Sequence, residues 1–331
     1  CALPICYCTH AVAPSTHLAY MTGVKCYLNF LAMHNNLKPG EPLAMPSESL
    51  LIYFVVHCSD NLHLAFTTIK SYLAGIRNFY IAAGMNHPLQ QSNGSPFLRL
   101  QLVLKGIRKQ QSKPSRPRLP ITTFILRNII SILDQGIFGA YLDLLMKTAC
   151  SMAFFGFMRC GEFTCTTRLF DPEANLSISD INITYSSNVP TMATILLKVS
   201  KTDPFRQGCT INLFCTNSRL CPVWLLDKLC AVRRRMQAEP QEPLFVLPDG
   251  QPLTRNVFLN MLKLILDRLG LDSSTYAGHS FRIGAATSAA AAHVPDHIIK
   301  ILGRWSSDCY QRYIHTPLTL LEHASQSIAT I

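Results

Sequence analysis

The sequence predicts a mainly α-helical protein with a small antiparallel β-sheet, an α+β fold in two domains. Its 331 residues suffice for two domains of about 150 residues each. Apolar residues recur at helical spacing through most of the chain, whereas the alternation typical of strands is confined to residues 178–214. Because 48% of the residues are apolar and only 15% are charged, the composition excludes an extended disordered protein.

Residues 15–110 predict four short amphipathic helices that form a small bundle. The clearest periodicity lies in the third helix, at Ile69, Tyr72, Leu73, Ile76, Phe79 and Tyr80. The helices are expected from Ser15 or Thr16 to about Asn35, from Ser47 to Val56, from about Ile69 to Gly84, and from Phe97 to about Lys109. Residues 1–14 are expected to be a poorly ordered N-terminus.

Residues 111–120 predict a linker between the two domains. Pro114, Pro117 and Pro120 exclude a helix at its end. The basic residues of the linker and of the helix before it come without an acidic residue among them: Lys105, Arg108, Lys109, Lys113, Arg116 and Arg118. A charge run of this kind is usually a solvated linker, and a basic extended hinge also suits contact with a nucleic-acid duplex.

Residues 121–316 predict a second domain that contains helices and one β-rich insert. The strands are expected over Ile178–Tyr185, Met192–Val199 and Cys209–Phe214, with the polar turn Ser200–Pro204 between the last two. The helices are expected over Thr122–Asp134, Tyr141–Phe157, Val223–Met236, Thr254–Leu269, His279–His293, Pro295–Leu302 and Tyr310–Ile314. Residues 317–331 predict a weakly amphipathic C-terminal tail.

The charge balance favours a polyanionic partner. Thirty Lys and Arg against 19 Asp and Glu give a formal net charge of +11, which makes nucleic acid the first candidate and an anionic membrane surface the second. A membrane span is not expected, because Asp143 and Lys147 interrupt the most apolar stretch, Ala140–Met158. The chain begins with Cys1 rather than Met, which is typical of a fragment.

The cysteines predict buried thiols in a reducing compartment. Thirteen cysteines are an odd number and too dilute for a small disulfide scaffold. Cys6, Cys8, His10 and His17 could be taken for a zinc site, but their spacing is not a common zinc-finger pattern. A loosely ordered N-terminus is the favoured interpretation, and no metal site is predicted.

Several widely separated segments carry polar residues that generic packing does not explain. Arg159 follows the apolar run that ends in Phe157, and His279 and Arg282 stand one helical turn apart. The other members of this set are Lys201 in the turn between strands, Trp305 and Tyr313. Each feature alone is weak evidence for a functional site. A lone arginine at a helix end, for example, usually interacts with the helix dipole. Their order along the chain is what makes them informative.

Taken in order, these residues resemble the catalytic set of the tyrosine recombinase (phage-integrase) family. The resemblance assigns Arg159, Lys201, His279, Arg282, Trp305 and Tyr313 as catalytic residues. It implies a helical core-binding (SAM-like) DNA-binding domain at residues 15–110, followed by a catalytic domain at residues 121–316. The six basic residues named above would then contact double-stranded DNA, and a homotetramer would assemble on it. The resemblance implies no metal and no cofactor.

Within this family, eukaryotic recombinases of DIRS-like retrotransposons and cryptons look most similar. The turn Ser200–Asp203 and residues 303–308 resemble theirs. Such an origin would imply a nuclear location.

The nucleophile is expected to be Tyr313, with Tyr310 as the rival. Tyr313 lies eight residues after Trp305, one fewer than in many bacterial members of the family. The Tyr-Ile-His context of Tyr313 nevertheless matches the family ending better.

The residue types suit phosphoryl transfer. Arg159 and Arg282 can clamp the negative charge of the transition state and remain protonated at any working pH. His279 can donate to the same oxygens or take the tyrosine proton, and the sequence leaves both roles open. Trp305 can only donate through its indole N–H and pack.

Two further roles concern a general acid and a supporting carboxylate. Lys201 is expected to protonate the leaving 5′-hydroxyl, while Lys198, the alternative, is expected in mid-strand. Glu162 either holds Arg159 or its backbone, or is an exposed carboxylate at a helix end.

The sequence is compatible with three functions. The leading one is a site-specific recombinase or integrase that joins DNA through a 3′-phosphotyrosine. A type IB topoisomerase would share the chemistry without needing partner protomers. A catalytically retired DNA-binding protein derived from a mobile element is the third. The run Arg233–Arg235 is expected to be a solvated helix face rather than a DNA contact.

Overall fold

The protein consists of two compact units, Cys1–Ser115 and Arg116–Ile331. The structure is a computed structural model that describes residues 11–34, 43–112, 118–200, 203, 205, 207–314 and 326, without the side chains of residues 312 and 313. Within these ranges no helix is both long and apolar enough to cross a lipid bilayer. The fold class is the predicted one, helices with a single small antiparallel sheet among the described residues.

The first unit contains the four predicted helices around an apolar core. They are α1 (Pro14–Met33), α2 (Glu48–Val56), α3 (Phe66–Ala82) and α4 (Leu98–Gln110). Ser47 caps α2 as predicted, since its side chain accepts a hydrogen bond from the Leu50 backbone N–H at 3.2 Å. Fully buried side chains in this core include Tyr27, Phe30, Leu51, Phe54, Ile69, Ile76 and Tyr80.

Two glycines allow α1 and α3 to cross in backbone contact. A Cβ atom on Gly23 would lie 2.6 Å from the Cα of Tyr72, and one on Gly75 would lie 2.7 Å from the carbonyl oxygen of Tyr20. Both distances are shorter than van der Waals contact, so neither glycine can take a side chain without moving the other helix.

The second unit is built around a buried central helix. Its helices are α5 (Thr123–Leu133), α6 (Ala140–Phe155), α7 (Pro222–Arg235), α8 (Arg255–Arg268), α9 (Ser280–Ala291) and α10 (Asp296–Leu302). Short 3₁₀ turns lie at Cys160–Glu162, Ile178–Asp180, Ser273–Thr275 and Asp308–Tyr313. Helix α6 packs against α5, α7 and α9, and ten of its 16 residues are buried. This is expected of a helix that is apolar on most sides.

The sheet is a three-stranded antiparallel meander. Strands β1 (Ile181–Ser186), β2 (Val189–Leu197) and β3 (Cys209–Phe214) follow one another in the order β1-β2-β3. In the register, Ile195 of β2 lies opposite Ile181 of β1 and Ile211 of β3. The buried face of β2 packs against α7, which places the sheet beside the helical core.

The first strand begins three residues later than predicted. Residues 178–180 form a 3₁₀ turn because the Asp180 carboxylate accepts hydrogen bonds from the backbone N–H and the hydroxyl of Ser177, each at 2.7 Å. A side chain that accepts from a neighbouring backbone N–H in this way offers the backbone an alternative to strand pairing.

The predicted linker continues into ordered structure at its C-terminal end. The Leu119 and Ile121 backbone N–H groups donate to the carbonyl oxygens of Thr275 and Ser280, at 3.0 and 2.9 Å. A Cβ atom on Gly284 of α9 would overlap the backbone of Ile121. Residues 118–121 therefore lie along the segment that begins α9, while residues 113–117 lie outside the described part of the chain.

The expectation that Arg233 is solvated is wrong. Arg233 is only 4% exposed, and its guanidinium pairs with Glu242 at 2.7 Å and donates to the Pro243 carbonyl. Arg234 and Arg235 are exposed as expected. Three successive residues of a helix point in different directions, and here Arg233 is the one that faces inward.

We expect Gly23→Ala and Gly75→Ala each to lower the free energy of unfolding of the first unit by about 1–3 kcal/mol, through overpacking of the α1–α3 crossing. Gly106→Ala is the matched control, because nothing lies within 4 Å of its added methyl group on α4. It should stabilise the same unit by about 0.5–1 kcal/mol. Urea denaturation of the full chain, followed by circular dichroism, measures all three. Equal effects at the three glycines would contradict the close crossing.

Candidate active site

The candidate site begins at the turn that follows α6. The helix ends at Phe155 rather than at the predicted Phe157, and Phe157 adopts a left-handed φ of +48°. Arg159 then has an extended backbone just before the 3₁₀ turn Cys160–Glu162. Arg159 is therefore presented by a sharp turn rather than by the helix end.

A backbone hydrogen bond joins this turn to the His279 segment. The Cys160 N–H donates to the carbonyl oxygen of Gly278 at 3.3 Å, so Arg159 and His279 each adjoin a residue of this bond. Gly278 cannot carry a side chain, since its Cβ would lie 2.8 Å from the Cβ of Cys160. His279 is exposed at the N-terminal cap of α9, and Arg282 follows in the first turn of that helix.

Arg282 connects three segments from the interior. It is 1% exposed, and its guanidinium donates to the carbonyl oxygen of Phe157 at 2.9 Å and to that of Gly303. A buried guanidinium is stable only with such partners. The hydrogen bonds thus tie the turn after α6 and the end of α10 to α9.

Trp305 covers the Arg282 guanidinium. The central guanidinium carbon lies 4.5 Å from the indole centroid, within the range of a cation–π contact. Phe157 meets the same indole edge-on at 6.1 Å, and Tyr310 lies against it at 5.8 Å. The packing part of the role predicted for Trp305 is therefore visible in the structure.

Glu162 binds two arginines at once. Its carboxylate accepts from the Arg159 guanidinium at 2.8 Å, from the Arg159 backbone N–H at 2.9 Å and from the Arg304 guanidinium at 2.9 Å. The Glu162 side chain is only 4% exposed. Of the two predicted alternatives for Glu162, the structure therefore has the contact with Arg159 and not the exposed carboxylate.

Arg304 was not among the predicted site residues. Besides Glu162, it donates to the carbonyl oxygens of Gly156 at 2.9 Å and Phe157 at 3.4 Å. Its position between Gly303 and Trp305 was the only sequence signal available, because the partners lie about 145 residues earlier in the chain.

Lys198 is held in an ion pair and is not in mid-strand as expected, because β2 ends at Leu197. Its ammonium group lies 2.7 Å from the Asp180 carboxylate and also donates to the carbonyl oxygens of Pro172 and Asn175. The donors of Lys198 are thus occupied by structural partners.

The turn between β2 and β3 ends at Cys209, whose thiol is influenced by the charges of the site arginines. Burial is the main cause that raises the pKa of the Cys209 thiol, and the charges of Arg304, Glu162, Asp203 and Arg159 also act on it. Cys209, the first residue of β3, therefore lies close to the arginine cluster. The Gly208 N–H donates to Asp203 at 2.7 Å and closes the turn from within.

Several predicted residues lie outside the described part of the chain. These are Lys113, Arg116, Lys201, the side chain of Tyr313, the cysteines and histidine of the N-terminal cluster at positions 6, 8 and 10, and the tail 317–331 apart from Gln326. Of the two candidate tyrosines, Tyr310 has a described side chain, and it is 4% exposed.

The remaining predicted DNA-contacting residues are exposed. Lys105, Arg108 and Lys109 lie on α4 of the first unit, where the Arg108 guanidinium stands 5.9 Å from the Phe66 ring. Arg118 belongs to the second unit and donates to the Ser274 carbonyl at 2.6 Å. Among the described residues, no group of three His, Cys, Asp or Glu side chains is placed to hold a metal ion.

Solved structures of site-specific recombinases and integrases share this fold. The XerH site-specific recombinase, bound to palindromic difH substrate in a post-cleavage complex, matches with a TM-score of 0.63 at 18% identity, over 94% of this chain and 78% of that chain. The lambda integrase dimer bound to a COC′ core site gives 0.53 at 16% identity, over 92% and 72%. The Tn1549 transposon integrase in complex with circular intermediate DNA gives 0.52 at 14% identity, over 92% and 98%.

These likenesses show that the chain has the fold of these recombinases and integrases, which agrees with the fold class predicted from the sequence. No protein-family model and no curated protein sequence matches the chain. At 14–18% identity these matches concern the fold.

We expect Trp305→Ala to lower the free energy of unfolding by about 3–5 kcal/mol, because it removes a buried ring and uncovers Arg282. Trp224→Ala is the matched control, since Trp224 is 36% exposed on α7, and its loss should cost about 1 kcal/mol or less. Urea denaturation followed by circular dichroism compares them. Equal losses would contradict the structural role of Trp305.

Proposed function

We propose that this protein is a DNA strand-transferase, a site-specific recombinase or integrase that cuts and rejoins DNA through a 3′-phosphotyrosine intermediate. One observation carries the proposal: the segments of Arg159, His279 and Arg282 meet at the turn after α6, joined by the bonds of Cys160 to Gly278 and of Arg282 to Phe157. These are the residue types that phosphoryl transfer requires around one phosphate.

Double-stranded DNA is the substrate that the charge distribution favours. The net charge of +11 and the exposed basic end of α4 suit a phosphate backbone. The DNA complexes of XerH and the Tn1549 integrase support the same assignment by fold.

The two arginines would act on the phosphate in different ways. The Arg159 side chain is 16% exposed, so it can donate hydrogen bonds to the non-bridging oxygens. Arg282 is almost fully buried against carbonyl oxygens and Trp305. Its charge stabilises the transition state from beneath the site, where the surrounding low dielectric weakens Coulomb attraction less than water does.

Tyr313 is the nucleophile in this proposal. Burial of Tyr310 against Trp305 gives its ring a packing role and leaves Tyr313 for the chemistry. The Tyr313 oxygen attacks phosphorus in line, the new bond joins phosphorus to that oxygen, and the bond to the 5′-oxygen breaks. Attack by another 5′-hydroxyl reverses the reaction and rejoins the strand. His279 either donates to the phosphate or takes the phenol proton.

Lys201 would protonate the leaving 5′-oxygen. The alternative, Lys198, is engaged by Asp180 and two carbonyl oxygens. The charges of Arg304 and Arg159 act on Cys209, the residue that begins β3 after the turn, which supports delivery of a turn lysine to the site.

The assembly and origin also belong to the proposal. A homotetramer on DNA, a mobile element of the DIRS-like or crypton kind and a nuclear location follow from the sequence resemblance. Relaxation of supercoiled plasmid by a strict monomer would instead indicate a topoisomerase.

Nicked suicide substrates test the nucleophile. The wild-type chain should form a covalent protein–DNA adduct on candidate terminal repeats, seen as a slower band in a denaturing gel. Tyr313→Phe should abolish the adduct, because no other nucleophile replaces the phenol oxygen. Tyr310→Phe keeps the packed ring and should retain it. An adduct that survives Tyr313→Phe and disappears with Tyr310→Phe would reverse the assignment.

A substrate with sulfur in place of the bridging 5′-oxygen tests the general acid. A thiolate leaves without a proton, because thiols are far more acidic than alcohols. The Lys201→Ala variant should therefore cleave ordinary DNA about 10²–10⁴-fold more slowly than the wild-type chain. It should cleave the sulfur substrate at nearly the wild-type rate.

Lys198→Ala is the comparison variant for that experiment. It leaves the Asp180 carboxylate buried and unpaired, so it should lower the free energy of unfolding by about 3 kcal/mol. The sulfur substrate should not restore its activity selectively. Selective rescue of Lys198→Ala would identify Lys198 as the acid.

A further inference from the structure

We infer that Arg304 is a positioning residue for Arg159, acting through the carboxylate of Glu162 that both arginines share. The inference rests on the proposed function and adds to it a residue that the recombinase resemblance does not assign. Arg304 contacts the turn that presents Arg159 at three points, Gly156, Phe157 and Glu162.

The first argument concerns charge. A single buried carboxylate beside Arg159 would neutralise the charge that a phosphate needs. Here Glu162 is shared, since Arg159 approaches one carboxylate oxygen at 2.8 Å and Arg304 the other at 2.9 Å. Two cations against one anion leave the cluster positive. Arg304 thus compensates Glu162 and leaves the charge of Arg159 available to DNA.

The second argument concerns geometry. Glu162 also accepts from the backbone N–H of Arg159, so it holds both the backbone and the guanidinium group of Arg159. Arg304 in turn fixes Glu162 and the carbonyl oxygens of Gly156 and Phe157. A planar guanidinium with five donors can span these acceptors, whereas a lysine ammonium presents one point of charge.

The third argument is the backbone of Arg304 itself. Its φ is +56°, a left-handed backbone conformation that residues other than glycine rarely adopt. Such a conformation persists only where the surrounding structure imposes it, and it is enriched at functional sites. It lets Arg304 turn toward Glu162 while its neighbour Trp305 lies against Arg282.

The test uses single-turnover formation of the covalent adduct at saturating DNA. Arg304→Ala should slow cleavage about 10–100-fold, the usual effect of losing a group that orients a reactive residue, with the Kd for DNA changed less than about threefold. Arg304→Lys restores the charge without the fork and should recover part of the rate. Lys300→Ala removes an equal charge on α10, where Lys300 pairs with the exposed Asp308, and should cleave at the wild-type rate.

A methylphosphonate at the scissile position separates positioning from general structural damage. It lacks the negative charge that Arg159 stabilises, so an Arg159→Ala chain should be slowed far less on it than on phosphate. Arg304→Ala should share this rescue and come within about threefold of wild type. A purely structural lesion would slow both substrates equally and would overturn the inference.

The double variant tests the path through Glu162. With Glu162→Gln the anion is gone, so adding Arg304→Ala should slow cleavage less than about threefold further. Full additivity would overturn the inference, as would a wild-type rate for Arg304→Ala or failure of both Arg304 variants to fold. Absence of any adduct with the wild-type chain would instead refute the proposed function, and the inference with it.

Discussion

The carbonyl oxygen of Phe157 accepts hydrogen bonds from two arginine side chains that lie more than 120 residues later in the chain, Arg282 and Arg304. A backbone oxygen with two lone pairs can satisfy both donors. Because Phe157 is in a left-handed conformation, its carbonyl points away from the helical direction of α6. The turn after α6 thereby becomes the point at which α9 and the end of α10 are joined, and the arrangement of the whole candidate site follows from it.

The site concentrates positive charge where a folded chain would otherwise avoid it. Arg159, Arg282 and Arg304 lie around one turn, and Glu162 is the anion that pairs with two of them. For Arg282, hydrogen bonds to carbonyl oxygens and contact with the Trp305 indole offset the free-energy cost of desolvation. An arrangement of this kind costs stability in the absence of a ligand and would gain it on binding a phosphate, as the proposed function requires.

Local sequence patterns predicted the elements of the fold, because helical spacing and caps are set by neighbouring residues. The four helices of the first unit and the three strands appeared close to their expected positions. Arg159, His279 and Arg282 were predicted as site residues from their type and order, and the structure brings their segments together.

Long-range contacts could not be predicted in the same way. Arg304 looked like an ordinary residue between Gly303 and Trp305, since its partners at positions 156–162 are remote in sequence. Arg233 was expected in solvent, because the run of three arginines gives no sign that Glu242 covers one of them. Lys198 was expected in mid-strand, but β2 ends at Leu197, and the partner of Lys198, Asp180, lies in a 3₁₀ turn that replaces the start of the expected first strand.

The three residues after α10 each meet a different requirement. Gly303 offers its carbonyl to Arg282 and leaves room for the Trp305 ring, Arg304 reaches the turn after α6, and Trp305 covers Arg282. Three consecutive residues make these contacts. Inserting or deleting one residue within them would therefore disrupt all three contacts at once. Relatives of this chain should therefore keep the length of this tripeptide unchanged.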